Sequence, residues 1–282
     1  MNPKTGLALS GGAAFGAYQA GVWKAIEEAR RQPDIVSGIS IGAINAWLIS
    51  RGASSDELRE LWLDLPGLLL PGREKRFSLP WTSQNRLFRA WVDEVFARYH
   101  QRKPRLEARL ALLEAARCRI VTVRGVDVRR DHLLAACALP GVEAPVRVDG
   151  KLHLDCGVVR YIPLEEAIEA GADQVIVVDL LAAHPFPLVR RIRQGLERLR
   201  ETVAGRRAAS TRDRIADVRQ LWVCHPRPLG GVLESFRWER SFAERLHTAG
   251  YHDGRAALAA EAPFRAGSQG AMRSSDDRSG DP

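Results

Sequence analysis

Cysteine is scarce and scattered in this 282-residue chain. Cys118, Cys137, Cys156 and Cys224 never fall into Cys-x-x-Cys spacing, so neither a zinc module nor a disulfide framework is expected; isolated thiols in a reducing compartment account for them. Long apolar runs are missing too. No stretch of ~18 uncharged residues could cross a bilayer as a helix, and Met1 to Gly12 lacks the basic region and apolar segment of a secretory signal. The expectation is a cytoplasmic protein. Zinc-finger spacing, interleaved basic and aromatic residues and internal repeats are all absent, so no nucleic-acid partner is expected. The formal net charge of +8 does permit attraction to an anionic surface.

What is present is a core-forming chain, 45% hydrophobic, in which buried strands alternate with helices. Thr5 to Leu9 reads as a first strand, followed by the glycine-rich turn Ser10-Gly11-Gly12-Ala13-Ala14-Phe15-Gly16 and a helix from Gly16 to Arg31. That turn is not a P-loop, because Ala17-Tyr18 stand where Lys and Ser/Thr are needed. Nor is it a dinucleotide fingerprint: Ala13 replaces the glycine required there, and no acidic residue ends the second strand. What survives is a turn whose backbone N–H groups can hold an anion.

Asp34 to Ile39 reads as the second strand, and Gly38-Ile39-Ser40-Ile41-Gly42 at its end has the form of a nucleophile elbow, with a helix running from about Ile41 to Arg51. Ser54 and Glu57 form a capping box opening a helix to Leu63. Leu65 to Trp81, rich in Pro, Gly and Leu, is a long connection that reads equally as a lid or as a loop packed on the core. Helices are expected over Gln84–Tyr99 and Leu106–Ala116, then a strand over Cys118–Arg124 and a short helix capped by Asp131 and running to Ala138. Val146–Val148 and Lys151–Leu154 flank Asp149-Gly150 as a hairpin. Asp155-Cys156-Gly157 follows at once. Pro163 starts a helix that Gly171 closes, Gln174–Asp179 is a buried strand, Leu221–Cys224 a last strand and Trp238–Ala260 a last helix. This pattern predicts an α/β fold: one three-layer α/β/α domain over residues 1–265 with a mainly parallel central sheet. Residues 266–282, rich in Ser, Gly, Asp and Arg, read as a disordered tail.

Three motifs then fall in order: Leu9-Ser10-Gly11-Gly12-Ala13-Ala14-Phe15-Gly16-Ala17-Tyr18, Gly38-Ile39-Ser40-Ile41-Gly42 and Asp155-Cys156-Gly157. Ala136-Cys137-Ala138-Leu139-Pro140 and Gly171-Ala172-Asp173-Gln174-Val175-Ile176 support them. Together they resemble the patatin-like phospholipase family from about Gly6 to Leu180, with an echo at Ala249-Gly250-Tyr251. The resemblance implies a hydrolase of lipid acyl esters that works by a Ser-Asp dyad and needs no metal or cofactor. Ser40 would be the nucleophile, Asp155 the base, and the Gly11, Gly12 and Ala13 backbone the oxyanion hole. Gly16, Gly38, Gly42 and Gly157 would support the turns. The chain departs from the family's pattern at three positions: Ala13 for glycine, Phe15 for Arg or Lys, and Cys156 for glycine. Ala13 would be strained by about 1–2 kcal/mol if its position demands positive φ, and Phe15 removes a cation from the anion-binding loop.

The residues leave two rivals open. One is a catalytically inactive lipid- or partner-binding protein on the same scaffold, motivated by those three departures. The other is an α/β-hydrolase whose Ser40 is served by His184 or His225, with Asp155 or Asp179 as orienter; His153 shares the strand face of Asp155 and reads as structural. A separate feature is the segment 189–207, where Val189, Ile192, Leu196, Leu199 and Val203 recur at helical spacing among Arg190, Arg191, Arg193, Arg198, Arg200, Arg206 and Arg207. It suits an anionic bilayer, at the inner membrane surface, and equally an ordinary amphipathic helix on the core.

Overall fold

The computed structural model describes residues 3–64, 84–183, 214–215, 217–231, 233–260 and 265–266. The connection Leu65–Trp81, His184, the arginine-rich segment 189–207 and residues 267–282 lie outside the described residues.

Nine strands form one sheet: β1 (Thr5–Leu9), β2 (Ile35–Ile39), β3 (Glu107–Glu114), β4 (Arg119–Arg124), β5 (Val146–Val148), β6 (Lys151–Asp155), β7 (Gln174–Val178), β8 (Arg219–Val223) and β9 (Arg265–Ala266). The order is β5-β6-β3-β2-β1-β7-β8-β9, with β4 also on β3. The central run β3-β2-β1-β7-β8 is parallel throughout, and antiparallel partners extend it at both sides. At that end of the sheet Ala266 pairs with Arg219. Seven helices complete the described fold: α1 (Gly16–Glu28), α2 (Ile41–Ser50), α3 (Ser55–Leu63), α4 (Gln84–Tyr99), α5 (Arg130–Ala136), α6 (Leu164–Glu169) and α7 (Arg240–Ala259).

Side-chain alternation divides the core into layers. Leu7, Leu9, Val36, Ile176 and Val178 join the helices α1 to α5 and α7 in one large cluster, whereas Ala8, Ile35, Val175 and Val177 face Ala167 and Ile168 of α6 on the other side of the sheet. Successive residues of one strand thus feed opposite faces, and each buried Leu, Ile or Val contributes about 1.5–3 kcal/mol. Helices α1 and α7 touch backbone to backbone: a Cβ on Gly250 would lie 2.0 Å from the Tyr18 carbonyl oxygen, and one on Gly21 would lie 1.9 Å from that of His247. The Ala249-Gly250-Tyr251 echo therefore marks a helix crossing.

Most expected elements are present within one or two residues. The capping box is complete, with Ser54 Oγ accepting from the Glu57 N–H at 3.1 Å and Glu57 Oε2 accepting from the Ser54 N–H at 3.0 Å. The Asp149-Gly150 hairpin turn has positive φ at both residues, 47° and 76°, as a type I′ turn requires. Two expectations are corrected. Residues 107–114 are a central strand, not a helix: Ala108, Leu110 and Leu112 enter the large cluster while Ala111 and Leu113 enter another on the opposite face. A strand buried on both faces is continuously apolar, and its Leu-, Ala- and Glu-rich composition favours a helix in isolation. The second correction is at α5, which starts two residues earlier, with Arg129 rather than Asp131 at its N-cap and the Arg129 N–H donating to His132 Nδ1 at 3.0 Å. Among the described residues, no helix is long and apolar enough to cross a membrane.

Candidate active site

Ser40 stands between β2 and α2 with φ 55° and ψ −130°. A side chain in that region of backbone space costs on the order of 1–3 kcal/mol, and the surroundings enforce it. A Cβ on Gly38 would lie 2.2 Å from the Gly42 carbonyl oxygen, and one on Gly42 would lie 2.3 Å from that of Leu9. Both glycines let strand, turn and helix pack at backbone contact. Ser40 is also the N-cap of α2, yet its hydroxyl makes no capping bond, in contrast to Ser54 at the same position of α3. The Ser40 side chain instead lies beside the Asp155 carboxylate, close enough to favour its ionised form.

Asp155 ends β6 and is 2% exposed. Its N–H donates to the Ala138 carbonyl at 3.0 Å, and its Oδ1 accepts from the Gly157 N–H at 2.7 Å. Burial pushes the carboxyl up to about 6, against the nearby Ser40 side chain and the Gly157 N–H, which favour its ionised form. Cys156 keeps this turn intact. It has no positive φ, its thiol is fully buried with Ile39, Ala111 and Val159, and Sγ lies 3.5 Å from the Ala111 carbonyl.

The glycine-rich turn lies directly against the serine: a Cβ on Gly11 would lie 3.2 Å from the Ser40 Cβ. Gly11 nevertheless departs from its expected role, because its N–H already donates to the Tyr161 carbonyl at 2.8 Å. The N–H groups of Gly12 and Ala13 have no partner among the described residues, and both residues are partly exposed. Ala13 has φ 49°, so the anticipated strain is present. Phe15 points away into the core, its ring edge-on to Phe242 at 6.2 Å. A cation at that backbone position would be buried among apolar groups. Gly16 packs beneath Trp62, leaving no room for a Cβ.

Several supporting residues were not singled out from the sequence. Ser10 Oγ accepts from the Leu180 N–H at 2.9 Å. Gln19 Nε2 donates to the Ser10 carbonyl at 2.8 Å, Asn45 Nδ2 to Gln19 Oε1 at 2.9 Å and to the Gly16 carbonyl at 3.1 Å, and Trp62 Nε1 to Asn45 Oδ1 at 3.1 Å. This buried amide chain locks the glycine turn to α2. A polar Asn45 inside the apolar run Ile41–Ile49 was its one visible signal. Cys137, quoted only within a supporting motif, lies near Ser40 and Asp155; burial first, then the Asp155 and Glu143 charges, push that thiol well up, so it stays protonated.

Among the described residues, His225 and His153 have other partners. His225 Nδ1 pairs with Asp253 at 2.7 Å, an oxygen that also accepts from Tyr18 Oη at 2.8 Å, and His153 Nδ1 approaches the Lys151 carbonyl at 3.2 Å. Asp179 accepts from Tyr161 Oη at 3.0 Å.

Comparisons with known proteins agree with this geometry. The family model for patatin-like phospholipases matches residues 7–117, which include the glycine turn and the elbow. Lysophospholipase nte1 of Aspergillus terreus is 29% identical over 181 residues, covering 62% of this chain and 12% of its own length. Patatin-like phospholipase domain-containing protein 7 of Rattus norvegicus is 26% identical over 185 residues, 62% of this chain and 13% of that protein. The chain thus spans about an eighth of the length of these two relatives. Among solved structures, VipD from Legionella pneumophila shares the fold at a TM-score of 0.51 and 13% identity, over 92% of this chain and 67% of that one. With the turn, the elbow and the mixed, mainly parallel sheet in place, the chain is similar to the patatin-like phospholipases, most directly over residues 7–117.

Proposed function

We propose that this protein hydrolyses acyl esters of lipids through Ser40 and Asp155. The observation that carries the reading is the uncapped Ser40 hydroxyl at the strained elbow, set beside a buried carboxylate whose proton affinity is raised to about 6. A serine hydroxyl attacks an ester only when a base takes its proton, and a base poised near the working pH does so most effectively. Asp155 accepts the Ser40 proton as Oγ bonds to the ester carbonyl carbon. The carbonyl oxygen becomes negative and takes hydrogen bonds from the Gly12 and Ala13 N–H groups, the first turn of α2 adding its dipole. Collapse breaks the ester bond. Asp155 returns the proton to the leaving alcohol, then draws one from water as the water oxygen bonds to the acyl carbon on Ser40; the acyl–Oγ bond then breaks, Asp155 hands that proton to Ser40 Oγ, and the acid is freed.

The substrate class follows from the relatives, one of them named a lysophospholipase; phospholipase A, lysophospholipase and broader esterase activity all fit the dyad. The arginine-rich sequence at 189–207 is proposed to bring the enzyme to an anionic lipid surface, which salt-sensitive co-sedimentation with phosphatidylserine vesicles tests.

The decisive experiment is hydrolysis of p-nitrophenyl esters of increasing chain length by wild type, Ser40→Ala and Asp155→Asn. Turnover abolished by both substitutions in folded protein supports the dyad. Activity that survives Ser40→Ala excludes it. A wild type that binds lipid vesicles without turnover favours a binding protein on this scaffold.

A further inference from the structure

The segment that follows Asp155 is fastened at both ends to the candidate site. At its start the Gly157 N–H holds Asp155 Oδ1. Towards its end the Tyr161 carbonyl accepts the Gly11 N–H at 2.8 Å, and the Pro163 carbonyl accepts Ser37 Oγ of β2 at 2.7 Å. Between them lies Arg160. Its backbone N–H donates to the Cys156 carbonyl at 2.9 Å, and its guanidinium, only 11% exposed, pairs with Glu165 and Glu166 of α6, Glu166 being 2% exposed. A buried Arg–carboxylate pair is weak evidence for stability as such, since apolar residues of similar volume often serve equally well. The chemistry proposed above uses none of these three charges.

We infer that Arg160 is a positioning residue, anchoring residues 156–163 to α6 so that the Asp155 carboxylate and the Gly11–Ala13 turn keep one fixed geometry around Ser40. The inference rests on the roles proposed for Ser40 and Asp155. A guanidinium fork gripping two neighbouring carboxylates fixes direction as well as distance, and the Tyr161 carbonyl, one residue on, transmits that position to the turn.

The test compares the full chain with Arg160→Met, Arg160→Lys and the double variant Arg160→Met/Glu166→Leu. The readouts are thermal unfolding, kcat and KM on a short soluble p-nitrophenyl ester, and amide hydrogen exchange in peptides containing Gly11 and Gly157. Arg160→Met leaves a buried carboxylate short of its partner and lowers Tm, whereas the double variant removes that penalty and recovers Tm. The expected result is a double variant of wild-type Tm whose kcat is down by about 10- to 100-fold with little change in KM, and whose two peptides exchange faster. Wild-type kcat and unchanged exchange in the double variant would overturn the inference. Should the double variant fail to fold, Arg160→Lys, which keeps the charge and loses the fork, is read the same way. A wild type without Ser40-dependent turnover refutes the proposed function instead. Exchange then decides the anchor by itself: faster exchange in both peptides supports it, and unchanged exchange overturns it.

Discussion

Ile39 and Asp155 dock on consecutive residues along one edge of β3, Ile39 opposite Ala111 and Asp155 opposite Leu112. β2 runs parallel to β3 and β6 antiparallel to it, so the two strands end facing one another. Ser40 follows directly from the first, and Asp155 is the last residue of the second. A serine and a carboxylate from distant parts of the sequence therefore meet because one strand receives both strand ends on the same edge. The other edge of β3 is occupied by β4, which fixes this arrangement from behind.

The raised proton affinity of Asp155 makes a prediction for stability. Its carboxyl binds a proton more tightly in the folded chain, at about 6, than in the unfolded chain near 3.8. Between those values the native state holds the extra proton, so stability falls as pH rises through that window. Above it the buried charge costs on the order of 2–3 kcal/mol. Asp155→Asn is therefore expected to be inactive yet to melt higher than wild type at pH 7.5, with the gap closing near pH 4. A lower Tm for the variant at pH 7.5 contradicts the assignment.

In the mechanism proposed for Ser40 and Asp155, the same group sets the pH dependence of turnover. Only ionised Asp155 accepts the Ser40 proton, so kcat/KM on a neutral ester is expected to rise with pH through about 6 and to level off above it. Initial rates between pH 4.5 and 8.5 check this. A profile flat through pH 6 argues for another base.

Ala13 carries a left-handed φ of 49° that glycine adopts without penalty. Ala13→Gly relieves about 1–2 kcal/mol of strain and returns about 0.4–1 kcal/mol of that through greater freedom of the unfolded chain. Chemical denaturation is expected to show a small net stabilisation. Ester turnover should persist, because the donor at this position is backbone.

Gly42→Ala acts in the opposite direction. The added methyl meets the carbonyl oxygens of Leu9 and Ser10 at 2.3 and 2.6 Å, which backbone cannot yield cheaply. The expected loss is about 1–3 kcal/mol of stability. It should come with loss of turnover, since relief of the clash displaces both the elbow and the glycine turn. A variant with wild-type activity and Tm would show that neither is rigid.

What the sequence determined by itself is local. The elbow, the glycine turn, the capping box at Ser54 and the Asp149-Gly150 hairpin are legible because each depends on residues within a few positions and on backbone rules that hold without tertiary context. The tertiary structure decided what depends on neighbours far along the chain. It made Glu107–Glu114 a central strand although its composition favours a helix, because burial on both faces between β2 and β4 outweighs propensities of tenths of a kcal/mol per residue. It gave the Gly11 N–H to the Tyr161 carbonyl, a partner no local pattern announces. It turned Phe15 into core and bound His225 to Asp253. It also brought Asp155 to Ser40 and, by burying it, raised its proton affinity: short-range chemistry is written in the residues, while desolvation and pairing exist only once the chain has folded.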